Sequence, residues 1–469
     1  MTTDKKHRTL GLVITDGVGY RNFILSAFTS AVTNHFDHVV IFSGLPAVVY
    51  QDLNPDYFTV VELPIYRENK KQWFIRKLRE TAHLRLFPDN DGIVNNLKKN
   101  YRSGWRPNDI LVKAIYAISR IAPSEKRVQQ FERWRDKDLK KSSIHKEINA
   151  LMQQHRVDQL FFTHQRPPFI ALLVIAAREL GIPSTTFIFS WDNLASKGRM
   201  AATFDHYLVW SDLMKSDLLE FYKSVDSKQI TVVGTPQFEP YTLPAFELEK
   251  EWFFDRFDLD ATKKVICYSC ADKSIGPNDP LVISTIAQAI KDQKIKSAQL
   301  LVRTSPAEDP ARFREVQRQF PSIKWNEPLW KSTRDNHPEP WSQRIPQKAD
   351  IAELRAILEY SDLNINMLST MSLDFMLFDK PVVNTVFGNK ENGLYNDQRF
   401  LSYQHYKTVV DSGAVEIAKN AEELITAINY SLAHPKSRLS QQRDIIKLQI
   451  SKPLEGTSAR IAQTLINLS

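Results

Sequence analysis

The chain has 469 residues, of which 42% are hydrophobic and 25% charged, with a formal net charge of +8. That composition is ordinary for a folded globular protein, and the length is too great for one hydrophobic core, so two domains are expected. No apolar segment approaches the ~20 residues a bilayer-spanning helix needs, which excludes an integral helical membrane protein. The only cysteines, Cys267 and Cys270, sit in the apolar run Val265–Cys270. A redox pair would open a helix and a zinc site would need two further ligands, so a structural role is expected. The charged lead-in Asp4–Arg8 is not a secretory signal, and a cytoplasmic location is expected.

In chain order, Thr9–Thr15 reads as a buried strand, and Asp16-Gly17-Val18-Gly19 as a glycine turn before a helical run through Phe36. Asp16 there suits a turn hydrogen bond of its own. Strands are expected at His38–Phe42 and Phe58–Leu63. From Tyr66 to Glu147 the strand signal stops, and long helical stretches carry 21 Lys/Arg against 10 Asp/Glu, interleaved with Trp73, Phe74, Trp105 and Trp134. The charge is thus regional, suiting an anionic membrane or glycan as partner, or simply a solvated helical face. No nucleic-acid-binding motif is present there, and no nucleic-acid partner is expected.

The α/β rhythm resumes at Val157 with strand VDQLFFTH, a helix after Pro167-Pro168, strand STTFIFS, strand FDHYLVWS, a helix and strand QITVVG. In open parallel sheets the carboxyl ends of strands face the ligand crevice, which singles out His164, Gln165, Arg166, Trp191, Asp192 and Asn193. After a Pro-rich linker from Pro236 to Asp260, the second half opens with strand Lys264–Ser269 and continues through strand AQLLVR, which ends at Arg303. Residues 319–347 read as a long irregular loop. The stretch Ser361–Val386 reads as strand, tight turn, helix and strand, with Ser369, Thr370 and Ser372 beside the unpaired N–H groups of the first helical turn, suited to an anion or to ordinary capping. Asp374 lies where an acid could accept hydrogen bonds from a ribose. Phe387–Gly393 is a further polar loop at a strand end.

Ser-Thr-x-x-x-Asp-Phe at 369–375, followed by Leu-Phe-Asp-Lys-Pro-Val-Val at 377–383, resembles the donor-binding motif of GT-B glycosyltransferases. It is closest to the CDP-glycerol glycerophosphotransferase branch and the UDP-GlcNAc 2-epimerase-like fold. The resemblance extends in layout over both halves of the chain. It implies an α/β protein of two Rossmann-like domains facing a cleft, 1–240 for the acceptor, with the basic helical insertion at about 66–147, and 241–452 for the nucleotide-sugar donor, followed by a C-terminal helix at 453–469. It further implies that Arg303, Ser369, Thr370 and Ser372 carry the diphosphate and Asp374 the ribose. In such a fold the first loop meets the acceptor, making Asp16 a candidate base alongside His164 and Asp192. No cofactor and no metal are expected, because Arg and a helix terminus can neutralise the leaving diphosphate.

The expected activity is transfer of a sugar from a nucleotide donor to a cell-surface glycan or a lipid-linked precursor, at the inner face of the membrane through the basic insertion. Three alternatives share the pattern. Arg303-Thr304-Ser305-Pro306 resembles the Arg-x-His-Pro of glycerol- and ribitol-phosphate transferases, but Ser305 replaces the histidine that would meet the transferred phosphate. A sugar-nucleotide epimerase would have the same fold without need of the basic insertion. A nonenzymatic binder of nucleic acid or scaffold partners would need only the insertion.

Overall fold

The computed structural model describes residues 8–389 and 397–468. Residues 390–393 of the polar loop expected after Phe387, and residues 4–7 of the charged lead-in, lie outside them. Two compact units are formed, one from Met1–Glu239, Ser332–Ile345 and Gln449–Ser469, the other from Pro240–Lys331 and Pro346–Leu448.

The first unit is built on a seven-stranded sheet. Its strands are β1 (Thr9–Ile14), β2 (His38–Ser43), β3 (Phe58–Glu62), β4 (Gln159–Phe162), β5 (Ser184–Phe187), β6 (His206–Val209) and β7 (Ile230–Val232), in the order β3-β2-β1-β4-β5-β6-β7. All neighbours run parallel. Every residue of β1, β4 and β5 is buried, as expected of strands covered on both faces by crossover helices. The order reverses between β1 and β4, so the loops after these strands part to opposite faces and leave a crevice.

The helical run after β1 divides into α1 (Gly17–Phe23) and α2 (Phe28–Thr33), so the expected glycine turn is the first turn of a helix. The basic stretch between β3 and β4 holds five helices, α3 (Lys70–Leu84), α4 (Asp91–Asn100), α5 (Pro107–Ile118), α6 (Glu125–Leu139) and α7 (Ser143–His155). Leu78, Val112, Ile115, Tyr116, Val128 and Phe131 give α3, α5 and α6 a small core of their own, with Trp73 and Phe74 packed against it. A buried polar cluster ties it to the chain after β5. Arg79 donates twice to Glu132, whose other oxygen accepts from the Thr203 backbone and hydroxyl, and Arg199 forms a two-point ion pair with Glu125.

The second unit is built on a six-stranded parallel sheet of β8 (Lys264–Ser269), β9 (Ala298–Arg303), β10 (Lys324–Asn326), β13 (Leu363–Asn366), β14 (Val382–Thr385) and β15 (Glu416–Ala418). Its order is β10-β9-β8-β13-β14-β15, reversing between β8 and β13. The stretch expected as an irregular loop contains a ribbon of β11 (Trp330–Ser332) and β12 (Arg344–Pro346). Residues 332–345 are fixed within the first unit. Gln343, fully buried, donates to the Gly44 carbonyl, Arg334 pairs with Glu62, and the Arg344 carbonyl sits against Gly17. Cys267 and Cys270 are free, and burial pushes the Cys267 thiol up to about 12, leaving it an unreactive thiol.

Candidate functional site

In the first unit, Asp16 lies two residues beyond β1 and His164 two beyond β4, so the order reversal of the sheet brings them together. Asp16 is fully buried, with extended backbone, and caps α1 through Oδ1, which accepts from the Val18 and Gly19 amides at 3.0 Å each. Its Oδ2 accepts from the Thr15 hydroxyl at 2.6 Å and pairs with His164 Nδ1 at 2.8 Å. Burial alone would raise this carboxyl. The bond and charge of His164, with the Thr15 hydroxyl and the Gly19 amide, hold it below the ordinary carboxylate range.

An ionised Asp16 favours a proton on His164 Nδ1, and in the neutral imidazole Nε2 is then the acceptor nitrogen. The imidazole is clamped by stacking on Phe189, with centroids 3.9 Å apart and planes 17° apart. Gln165 braces the same wall, accepting from the Phe189 amide and donating to Asn193 Oδ1. Asp16 was expected as a candidate base. Both of its oxygens are already occupied, by four donors, one of them the His164 ring. Asp192 pairs with Lys197 at 3.2 Å and accepts from the Asn193 side-chain amide at 2.9 Å.

In the second unit the corresponding reversal brings together the ends of β8 and β13. A buried polar network fills it. Asn364 donates to Ser269 Oγ at 2.9 Å, Asn366 to Asn364 at 2.6 Å, and Asn384 to Asn366 Oδ1 at 3.0 Å. Tyr406 donates to Asn384 at 2.9 Å and lies 2.7 Å from the Ser372 hydroxyl. Asn366 Oδ1 also accepts from the Ser369 amide, holding the turn in which Leu368 takes φ of 48°. A left-handed conformation at a bulky residue is strained, and it is imposed here by the network beneath it.

Of the four residues expected around a diphosphate, Ser369 and Thr370 are half-exposed at the strand end, whereas Ser372 and Arg303 are buried. Ser372 is fully buried in the network. Asp374, expected to hold ribose, is buried and accepts from the Tyr241 hydroxyl. Arg303 is buried in a two-point pair with Asp350 at 3.0 and 3.1 Å and a further bond to Asn326. Asp350 also accepts from the Leu329 amide and Trp330 Nε1. Ser305, where a phosphotransferase would carry histidine, is buried and accepts from the Ala307 amide.

No family model and no curated sequence matches the chain. Solved structures do. A glycosyltransferase from Rickettsia africae matches with a TM-score of 0.52 at 14% identity, over 99% of this chain and 98% of that one. A putative UDP-N-acetylglucosamine 2-epimerase from Listeria monocytogenes matches with a TM-score of 0.55 at 11% identity, over 98% and 96%. The S. aureus protein MnaA, solved with UDP, matches with a TM-score of 0.52 at 12% identity, over 98% of each chain.

The fold is GT-B. Both transferases and epimerases use GT-B, so the fold sets the frame and the side chains must decide the chemistry. The GT-B neighbours also place the two reversal points in context, since each lies in one of the two sheets that define the fold.

Proposed function

We propose that this GT-B protein is a glycosyltransferase taking its sugar from a nucleotide-activated donor, with a cell-surface glycan or lipid-linked precursor as acceptor. The carrying observation is the Asp16–His164 pair at the reversal of the first sheet, with Nε2 left as acceptor. In this reading His164 Nε2 removes the proton of an acceptor hydroxyl as its oxygen bonds to the anomeric carbon. The bond from that carbon to the donor phosphate breaks, and its electron pair leaves on the diphosphate. Asp16 stabilises the imidazolium that forms, without itself taking the proton. Ser369 and Thr370 are assigned to the diphosphate, being the half-exposed hydroxyl residues of the motif. Burial of Arg303, Ser372 and Asp374 in internal bonds argues for roles in holding that turn. Solved neighbours carrying UDP support a nucleotide donor.

Epimerase neighbours favour a second reading, in which the donor sugar is inverted at one carbon and no acceptor is used. One assay separates the two. The protein is incubated with a panel of nucleotide sugars, with and without a lipid-linked acceptor pool. Acceptor-dependent release of nucleoside diphosphate supports transfer, and an acceptor-independent change of the sugar with the diphosphate bond intact supports epimerisation. The basic insertion is assigned to an anionic membrane surface, which is where a lipid-linked acceptor would be met.

A further inference from the structure

The excess charge of the insertion is not spread evenly once side chains are placed. On α3, Lys71 is paired with Asp138, Arg76 with Glu68 and Glu80, and Lys77 with Glu80. These cations are largely neutralised within the fold. The segment joining α4 to α5 differs. Residues 98–108 are exposed without interruption, and residues 98–113 hold five Lys/Arg against the single acid Asp109.

This tip is a built structure. Asp109 is buried and accepts from the Arg106 amide at its centre, and the chain folds over it so tightly that a Cβ on Gly104 would meet its carboxylate. Tyr101 packs edge-on against Tyr116, and Lys113 lies 3.7 Å over the Trp105 ring. Yet Trp105 is 83% exposed, Ile110 51% and Tyr101 46%. Among the described residues, Arg102 is the one cation of the tip with an acidic neighbour, at 3.8 Å from Asp109. Exposed aromatics amid cations match the interfacial zone of an anionic bilayer, where the rings settle at headgroup level and the cations meet phosphate.

The tip is also joined firmly to the dyad side of the sheet. At the other end of α4, Gly92 packs on the Ala195 carbonyl and Asn96 donates to that of Ser196, in the segment following Asp192 and Asn193. Helix α4 is ten residues, about 15 Å, long.

We propose, building on the membrane reading above, that the 98–110 tip is the lipid-docking element, with Lys98, Lys99, Arg102 and Arg106 on anionic phospholipid headgroups and Tyr101, Trp105 and Ile110 at the interface. Docking there sets the distance of His164 from the lipid surface through the rigid α4.

The test is flotation of the full chain with vesicles of equal parts phosphatidylglycerol and phosphatidylcholine, against pure phosphatidylcholine, with the UDP-induced thermal shift measured in parallel. Wild type floats with the anionic vesicles only. Replacing the four cations together (Lys98→Gln, Lys99→Gln, Arg102→Gln, Arg106→Gln) cuts the bound fraction at least about tenfold. The pair Tyr101→Ser, Trp105→Ser weakens binding and makes the remainder more sensitive to salt. Lys70→Glu, Lys71→Glu leaves flotation near wild type. If that α3 pair abolishes flotation and the tip variants do not, the tip is overturned and membrane binding stands. If wild type ignores anionic vesicles but binds RNA or a soluble polyanion, both fall. The nucleotide response reports separately on the donor site.

Discussion

His164 Nδ1 lies 2.8 Å from Asp16 Oδ2, although 148 positions separate the two residues, because β1 and β4 are adjacent in the first sheet. An acid that is buried and bonded by four donors can orient an imidazole but has no lone pair left for substrate. The two members should therefore fail differently. His164→Ala should lower turnover by about a hundredfold or more, with donor affinity nearly unchanged. Asp16→Asn should lower turnover less and displace the pH–rate profile, since it alters the tautomer and basicity of His164. Equal, pH-independent losses from both would assign the pair a structural role.

Arg303 and Asp350 give a second test. Breaking a buried, two-point pair leaves one charge uncompensated, so Arg303→Ala should cost about 3–5 kcal/mol in urea unfolding. The double replacement Arg303→Met, Asp350→Leu should cost less than Arg303→Ala alone. UDP affinity, measured by calorimetry on whatever fraction folds, should change little. A selective loss of affinity at unchanged stability would return Arg303 to the phosphate.

The hydroxyls of the Ser369–Ser372 turn should also separate. Ser369→Ala with Thr370→Val should weaken nucleoside diphosphate binding several-fold while costing about 1 kcal/mol of stability at most, for the bond from the Met371 amide to Ser369 Oγ. Ser372→Ala leaves Tyr406 and Asn384 short of a partner in a fully buried network, which should cost about 1–3 kcal/mol of stability. Calorimetry and thermal melts on the same samples distinguish the two patterns.

Glu80 makes stability acid-sensitive. Burial would raise its carboxyl, but Lys77 and Arg76, at 2.9 and 2.8 Å, bring it from 4.5 down to about 2. A depressed acid stabilises the folded state fully above its unfolded value and loses that contribution as pH falls through its folded one. The window is thus pH 4.5 to about 2. Glu80→Gln should be less stable than wild type at neutral pH, and the difference should shrink across that window in denaturant titrations.

Much of this was legible because most of the strands carry an apolar run and the turns between them do not. Thr9–Ile14 and Lys264–Ser269 announce themselves, and so does the crossover helix burden between β3 and β4. The candidate residues were legible as strand-end positions, which topology alone brings together. What the sequence could not tell is which polar side chains are already satisfied. Arg303 reads as a free cation until Asp350, 47 positions on, is seen to meet it. A clearer signal was available in Leu363-Asn364-Ile365-Asn366, where two asparagines alternate with the apolar residues of a central strand. Polar groups there demand partners, and they mark the buried network. The excursion of 332–345 had no signal, because its fit depends on a backbone approach to Gly17 and not on its own pattern.

The same excursion, with the final segment, bears on how the protein is made. Ser458 donates to Glu239, Arg460 to the Val233 carbonyl, and the helix Thr457–Asn467 packs on α2, so the first unit includes pieces of chain translated after nearly all of the second. The unit begun first on the ribosome is therefore the one completed last. While it waits, the apolar face of α2 is open to the chaperones that bind such surfaces, and a stop codon anywhere before residue 449 would leave it open for good.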